Sequence, residues 1–168
     1  MIEINRETTM AFTGHRPNKI GGYDENHPTR VRVRAALTVG VERAVQRGFV
    51  TFIAGGAQGV DMDAALICLK MGLTLISALP FLGQEARWSA QSQRQYREIL
   101  KHSEVIYVSE GGWRSPADNP KYIQRDRWMV DHSSVLIACW NGTSGGTATT
   151  VAYAQTQPVK IWRINPTV

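Results

Sequence analysis

Apolar and polar positions along the chain switch between two periods. Six short runs, rich in β-branched and aromatic residues, have the length and composition of strands: 8–13, 49–54, 73–79, 104–108, 135–140 and 159–163. Between the first two, Val33, Leu37, Val41, Ala44 and Val45 recur at helical spacing and predict an amphipathic helix over 29–47. A second helix is predicted over 60–71, with Gly72 able to end it at the C′ position. Further helices are predicted over 85–102, 121–132 and 147–155. Strand and helix thus alternate from end to end. That order predicts an α/β fold of three layers, a mainly parallel sheet with helices on both faces.

The connections are unequal in a useful way. Turns from helix to strand are short and plain, as at Arg47-Gly48 and Met71-Gly72. Those from strand to helix carry more chemistry. They are Gly14-His15-Arg16-Pro17, Gly55-Gly56-Ala57-Gln58-Gly59, Phe81-Leu82-Gly83-Gln84, Ser109-Glu110-Gly111-Gly112-Trp113 and Gly142-Thr143-Ser144-Gly145-Gly146-Thr147. In an open parallel sheet all five lie at the carboxyl ends of the strands, where ligands bind. The last loop is the most informative. Its three glycines and interleaved hydroxyls join a buried strand to a helix, so backbone N–H groups and the positive helix end can meet a phosphate. The spacing is neither the dinucleotide fingerprint nor a P-loop. Read blandly, it is a tight turn that needs glycine dihedrals.

Composition narrows the picture only a little. At 168 residues, with 43% hydrophobic and 20% charged positions, the sequence fits one soluble domain, 1–168, with a sizeable core. No repeat, low-complexity stretch or linker divides it. The first residues carry charges of both signs and no apolar h-region, and no apolar run approaches the ~20 residues of a membrane span. Cys68 and Cys139 lie inside apolar segments and read as buried, reduced thiols. These features predict a cytoplasmic protein. The net charge is +5, and 14 of the 19 cations are arginine, which suits bidentate phosphate or carboxylate recognition. There is no basic run, so nucleic acid is a permitted partner rather than a demanded one.

Several residues are placed for chemistry. In the first loop Arg16 suits a phosphate or carboxylate, and His15 a ribose or base; the alternative is solvent exposure for both. Asp61 falls in the first turn of its helix and either caps it or meets the ligand, whereas Asp63 reads as a plain surface residue. Arg125 and Met129 are four apart on one helix face. If Met129 is buried, Arg125 is held near the sheet edge; otherwise it pairs with Asp126 or Asp131 on a solvated helix. Trp88, Tyr96, Trp113 and Tyr122 offer stacking faces or core packing. His102 and His132 end helices and need no catalytic role. No His/Cys/Asp cluster has metal spacing, and neither metal nor cofactor is expected.

Taken in order, Thr13-Gly14-His15-Arg16-Pro17, Gly55-Gly56-Ala57-Gln58-Gly59-Val60-Asp61, Pro80-Phe81 with Trp88, Arg125-Asp126-Arg127-Trp128-Met129-Val130-Asp131 and Gly145-Gly146-Thr147 resemble the YpsA-like family of the SLOG superfamily. That superfamily also holds the LOG enzymes and the DNA-processing protein DprA. The resemblance runs from about 9 to 156. It implies a Rossmann-like fold binding a nucleotide or nucleotide-derived ligand, often as a sensor or regulatory module, with homodimers common among LOG relatives. With the loop chemistry above, the residues expected at the ligand are Gly14, His15, Arg16, Gly55, Gly56, Asp61, Arg125, Gly142, Ser144, Gly145, Gly146 and Thr147.

LOG enzymes cleave nucleoside monophosphates to base and ribose 5-phosphate with a P-G-G-x-G-T-x-x-E loop. Arg125 and Met129 match their upstream arginine and methionine, and Gly146-Thr147 match the end of the loop. Trp140-Asn141-Gly142-Thr143 replace its start, and Thr150 stands at the glutamate position. A hydroxyl supplies no negative charge to an oxocarbenium-like transition state. A hydrolase would therefore need another carboxylate, from Asp61, Glu85 or Asp118, alongside Arg125. A third alternative is DprA-like binding of single-stranded DNA.

Overall fold

The computed structural model describes residues 2–167. Six strands form one sheet: β1 (Thr9–Gly14), β2 (Thr51–Ala54), β3 (Thr74–Leu79), β4 (Glu104–Tyr107), β5 (Val135–Cys139) and β6 (Lys160–Ile164). Five helices connect them: α1 (Pro28–Gln46), α2 (Val60–Lys70), α3 (Ala90–Lys101), α4 (Pro120–Asp131) and α5 (Gly146–Gln155). The strand order is β4-β3-β2-β1-β5-β6, and every neighbouring pair is parallel. The mainly parallel, three-layer Rossmann-like arrangement expected from the sequence is therefore present, with a wholly parallel sheet.

Alternation along the strands separates two cores. Met10 and Phe12 of β1 point to one face with Val33, Leu37 and Val41 of α1 and Ala64, Ala65 and Cys68 of α2. Ala11 points to the other, with Met129 and Val130 of α4 and Ala154 of α5. Phe12 and Phe52 stack with ring centroids 6.3 Å apart. Full burial of such a side chain contributes roughly 1.5–3 kcal/mol. Both cysteines lie in this interior, and burial pushes each thiol up to about 12, so neither is a thiolate nucleophile.

Two boundaries depart from the sequence expectation by more than one residue. Helix α3 begins at Ala90, five residues after Glu85, because Ser89 caps it by accepting the Ser92 N–H at 3.2 Å. The Gln93 side chain then donates to the Glu85, Ala86 and Trp88 carbonyls and fixes 85–88 as turns. Strand β2 begins at Thr51, because the Phe49 amide turns back to the Ala44 carbonyl at 3.1 Å.

The topology fixes where a site can form. The chain moves outward from β1 to β4, then crosses back to place β5 on the other side of β1. Gly14 pairs with Cys139, so β1 and β5 end level, and their loops diverge into a crevice at this switch point.

Candidate functional site

The crevice holds a cavity of about 380 Å³. It is lined from the loops after β1, β2 and β5 and from one face of α4. The loop after β3 turns elsewhere, and the five glycine-bearing loops do not form a single site.

The exits of β1 and β5 are tied together. The His15 amide donates to the Cys139 carbonyl at 3.2 Å, and His15 Nε2 lies 2.8 Å from Asn141 Oδ1. Burial lowers the His15 pKa; the Asn141 contact opposes this and the nearby Lys19 charge adds to it, leaving a neutral imidazole at pH 7. Asn141 Oδ1 also accepts from the Thr143 amide at 3.1 Å and its hydroxyl at 2.6 Å. Lys19 Nζ donates to Thr143 Oγ1 and the Ser144 carbonyl, each at 3.0 Å. Lys19 thus holds the loop in shape while adding positive charge to the cavity. Gly145, at φ 142°, leads into α5, and among the described residues no side chain caps that helix. Its first-turn N–H groups, at Gly146 and Thr147, therefore face the crevice without a side-chain partner, at the positive end of the helix dipole.

The opposite wall is built on Arg125. It is almost fully buried, with Met129 below it on the same face of α4. Its Nε donates to Asp126 Oδ1 at 2.6 Å, and Nη1 donates to the Gly55 carbonyl. The expected pairing with Asp126 is present, but on a buried helix face rather than a solvated one. Gly55 is small by necessity here. A Cβ would lie 2.7 Å from Asp61 Oδ2 and 2.8 Å from Arg125 Nη1. Gly55 and Gly56 back this wall without lining the cavity, and Gly142 also lies outside the lining.

Asp61 faces the cavity from the first turn of α2, with Oδ2 accepting the Ala57 amide at 3.3 Å. Burial pushes its carboxyl up to about 6; Arg125 draws it down and the Asp126 carboxylate pushes it further up. The folded chain therefore binds this proton more tightly than the unfolded chain does. That contribution is complete below about 4 and is lost as pH rises through about 6. Asp61→Asn is expected to be more stable than the parent at pH 7.5, with the difference closing near pH 4. Urea unfolding at the two pH values measures it, and an equal difference at both would contradict the assignment.

The other carboxylates offered by the sequence lie elsewhere. Glu85 stands outside the cavity on the loop after β3, with Oε2 buried and unpaired. Asp118 accepts the Arg114 amide at 2.8 Å and pairs with Lys121 at 2.9 Å, organising its own turn. Asp63, read as a surface residue, is instead buried in a two-pronged ion pair with Arg30 of α1. The carboxylate that the sequence reading missed is Asp126. Its Oδ2 lies 3.1 Å from the hydroxyl of Thr150, so a negative charge stands beside the position that lacks one in sequence.

Comparison with known proteins agrees with this architecture. The chain is 29% identical to an uncharacterized SPbeta prophage-derived protein, YoqJ, of Bacillus subtilis, over 83% of this chain and 91% of that one. Among solved structures, DNA processing protein A of Streptococcus pneumoniae superposes with TM-score 0.67 at 16% identity, over 94% of this chain. The Helicobacter pylori protein of that name, described in a single-stranded DNA binding mode, gives 0.67 at 17% identity over 92% of this chain. This chain spans 50% and 64% of their respective lengths, and the likeness is one of fold. No helix among the described residues is long and apolar enough to cross a membrane. The family model described as the YspA SLOG family matches residues 10–167, nearly the whole length, and the chain belongs to that family.

Proposed function

We propose that this chain binds a phosphorylated, nucleotide-type ligand in the β1/β5 crevice and serves as a binding or regulatory module. The observation that carries the reading is convergence on one cavity. The α5 N-terminus, with no side chain capping it among the described residues, shares a cavity of about 380 Å³ with Arg16, Lys19 and Arg125. Backbone donors and three cations suit a phosphoryl group. Asp61 and Asp126, beside them, suit the hydroxyls of an attached sugar.

The test is a melting and titration panel of inorganic phosphate, ribose 5-phosphate, AMP and GMP. At a hundredfold excess over Kd a bound ligand stabilises by about 2.7 kcal/mol, a readily measured rise in Tm. At least one phosphorylated compound is expected to raise Tm, and Arg16→Ala with Lys19→Ala to weaken its binding. A panel without any shift would sink the proposal. If single-stranded DNA instead binds with a steep salt dependence, the reading passes to nucleic acid, as for the H. pylori relative.

One observation favours a second reading, hydrolysis of the N-glycosidic bond of a nucleoside monophosphate. Asp126, held by Arg125 and Thr150, lines the cavity with a carboxylate of the kind that an oxocarbenium-like transition state requires. Release of free base and ribose 5-phosphate, lost in Asp126→Asn, is the result that reading requires.

A further inference from the structure

A second cavity, of about 410 Å³, lies beside the first. The partition between them is one backbone wide. Arg16 lines the first cavity and Pro17 the second, neighbours whose Cα atoms are about 3.8 Å apart. Likewise Ala57 faces the first, and Gln58 and Gly59 the second. Gly59 makes this thinness possible. At φ 93°, its Cβ would come 2.5 Å from the His15 carbonyl and 3.1 Å from Arg16 Cα, so no larger residue fits between the loops. The Val60 amide closes the seam onto the His15 carbonyl at 3.2 Å.

The two cavities differ in charge. The first gathers three cations, Arg16, Lys19 and Arg125, against two carboxylates, Asp61 and Asp126. In the second, Arg30 is matched by Asp63 at 2.9 Å, the Arg87 guanidinium sits 5.1 Å over the Trp113 ring, and Glu25 brings the opposite sign. What it offers instead is unspent hydrogen-bonding capacity. Among the described residues Gln91 makes no side-chain hydrogen bond. Gln58 meets only the exposed Tyr23 hydroxyl, at 3.4 Å, and Gln95 only Glu25, also at 3.4 Å. Each of these amides carries both a donor and an acceptor edge. Aromatic surface completes the lining. Trp88 is fixed edge-on against Tyr96 with centroids 5.2 Å apart, and its loop is held by the Gln93 amide. The Tyr23 ring is 67% exposed at the rim.

A near-neutral cavity with aromatic walls and paired amide edges fits a flat heterocycle that both donates and accepts. We propose that the second cavity takes the nucleobase of the ligand whose phosphoryl group lies at α5, with the sugar crossing the Pro17–Gly59 ridge. This rests on the phosphate reading above and adds a base-recognition site to it. Gln58, Gln91 and Gln95 read the base edge, while Trp88 and Tyr23 hold its faces.

The test compares ribose 5-phosphate with AMP and GMP by calorimetry on the full chain, in the parent, Gln91→Ala and Tyr23→Ala. Both residues are exposed, so the variants keep the fold. The mononucleotides are expected to bind at least tenfold tighter than ribose 5-phosphate. Each variant should weaken the tighter mononucleotide about tenfold and leave ribose 5-phosphate unchanged. Equal affinity of nucleotide and sugar phosphate, or equal losses for both in the variants, overturns the base site while the phosphate reading stands. Free nucleosides added to labelled protein separate the remaining case. If no phosphorylated compound binds but a nucleoside shifts the side-chain amide resonances of Gln58, Gln91 and Gln95, the base site stands and the phosphate reading falls. If neither happens, both fall.

Discussion

Arg125→Ala is expected to abolish ligand binding in the β1/β5 crevice and to lower folding stability by about 3–5 kcal/mol. The guanidinium joins three groups. It neutralises Asp126 at 2.6 Å, satisfies the Gly55 carbonyl of the neighbouring loop, and draws down the buried Asp61 carboxyl. Its removal leaves two carboxylates facing one another around a gap. The Asp126 side chain keeps 23% exposure, so water recovers part of the loss and places the stability change at the lower end of that range. Arg125→Lys separates the two roles. It returns the charge without the planar fork, so partial phosphate affinity is expected with the contact to Gly55 weakened. Urea midpoints and calorimetric titration read the two effects. A variant with the parent's midpoint and the parent's affinity would remove Arg125 from the site.

Asp63→Ala is expected to cost a comparable 3–5 kcal/mol while leaving the phosphate cavity intact. Arg30 Nε and Nη2 both donate to the Asp63 carboxylate, at 3.2 and 2.9 Å, and the side chains are only 7% and 5% exposed. Burial pushes the Asp63 carboxyl upward, and the Arg30 fork holds it back. Without Asp63 the guanidinium is left in the interior with the Gly22 carbonyl as its remaining partner. A buried pair is costly to break but not costly to replace. Arg30→Met with Asp63→Leu should therefore recover most of the stability that Asp63→Ala loses. A single-variant loss below about 1 kcal/mol, or a double variant worse than the single, would show that the pair does not hold α1 to α2 as described.

The placement of Asp63 shows where sequence reading stops. A carboxylate in the first turn of a helix has an adequate local explanation in the helix dipole, and its real partner lies 33 positions earlier on another helix. Asp126 was similarly hidden. In sequence it is one acid beside Arg125, and its contact with Thr150 exists only because α4 and α5 pack side by side. Lys19 carried no motif at all. Its bonds to Thr143 and Ser144 span 124 and 125 positions, and no spacing rule reaches that far. Glu85 erred in the other direction. Its loop belongs to the same sheet edge, but β3 lies two strands away from β1, so the carboxylate stays outside the crevice.

The sequence by itself determined the elements, the parallel sheet and the glycine-rich loops at its carboxyl edge. Periods of 3.6 and 2 are written in neighbouring side chains, and burial selects them locally. It also determined the glycine-rich loop before α5, because backbone that must turn sharply into a helix leaves its mark in composition. Tertiary structure alone decided which loops share a cavity, that Arg125 is paired with Asp126 and Arg30 with Asp63, and that a second cavity lies one backbone away. Those outcomes depend on strand order and on contacts between distant residues. Burial then sets the charge state of Asp61 and the shape of the Arg125 wall, and no local pattern encodes burial at that range.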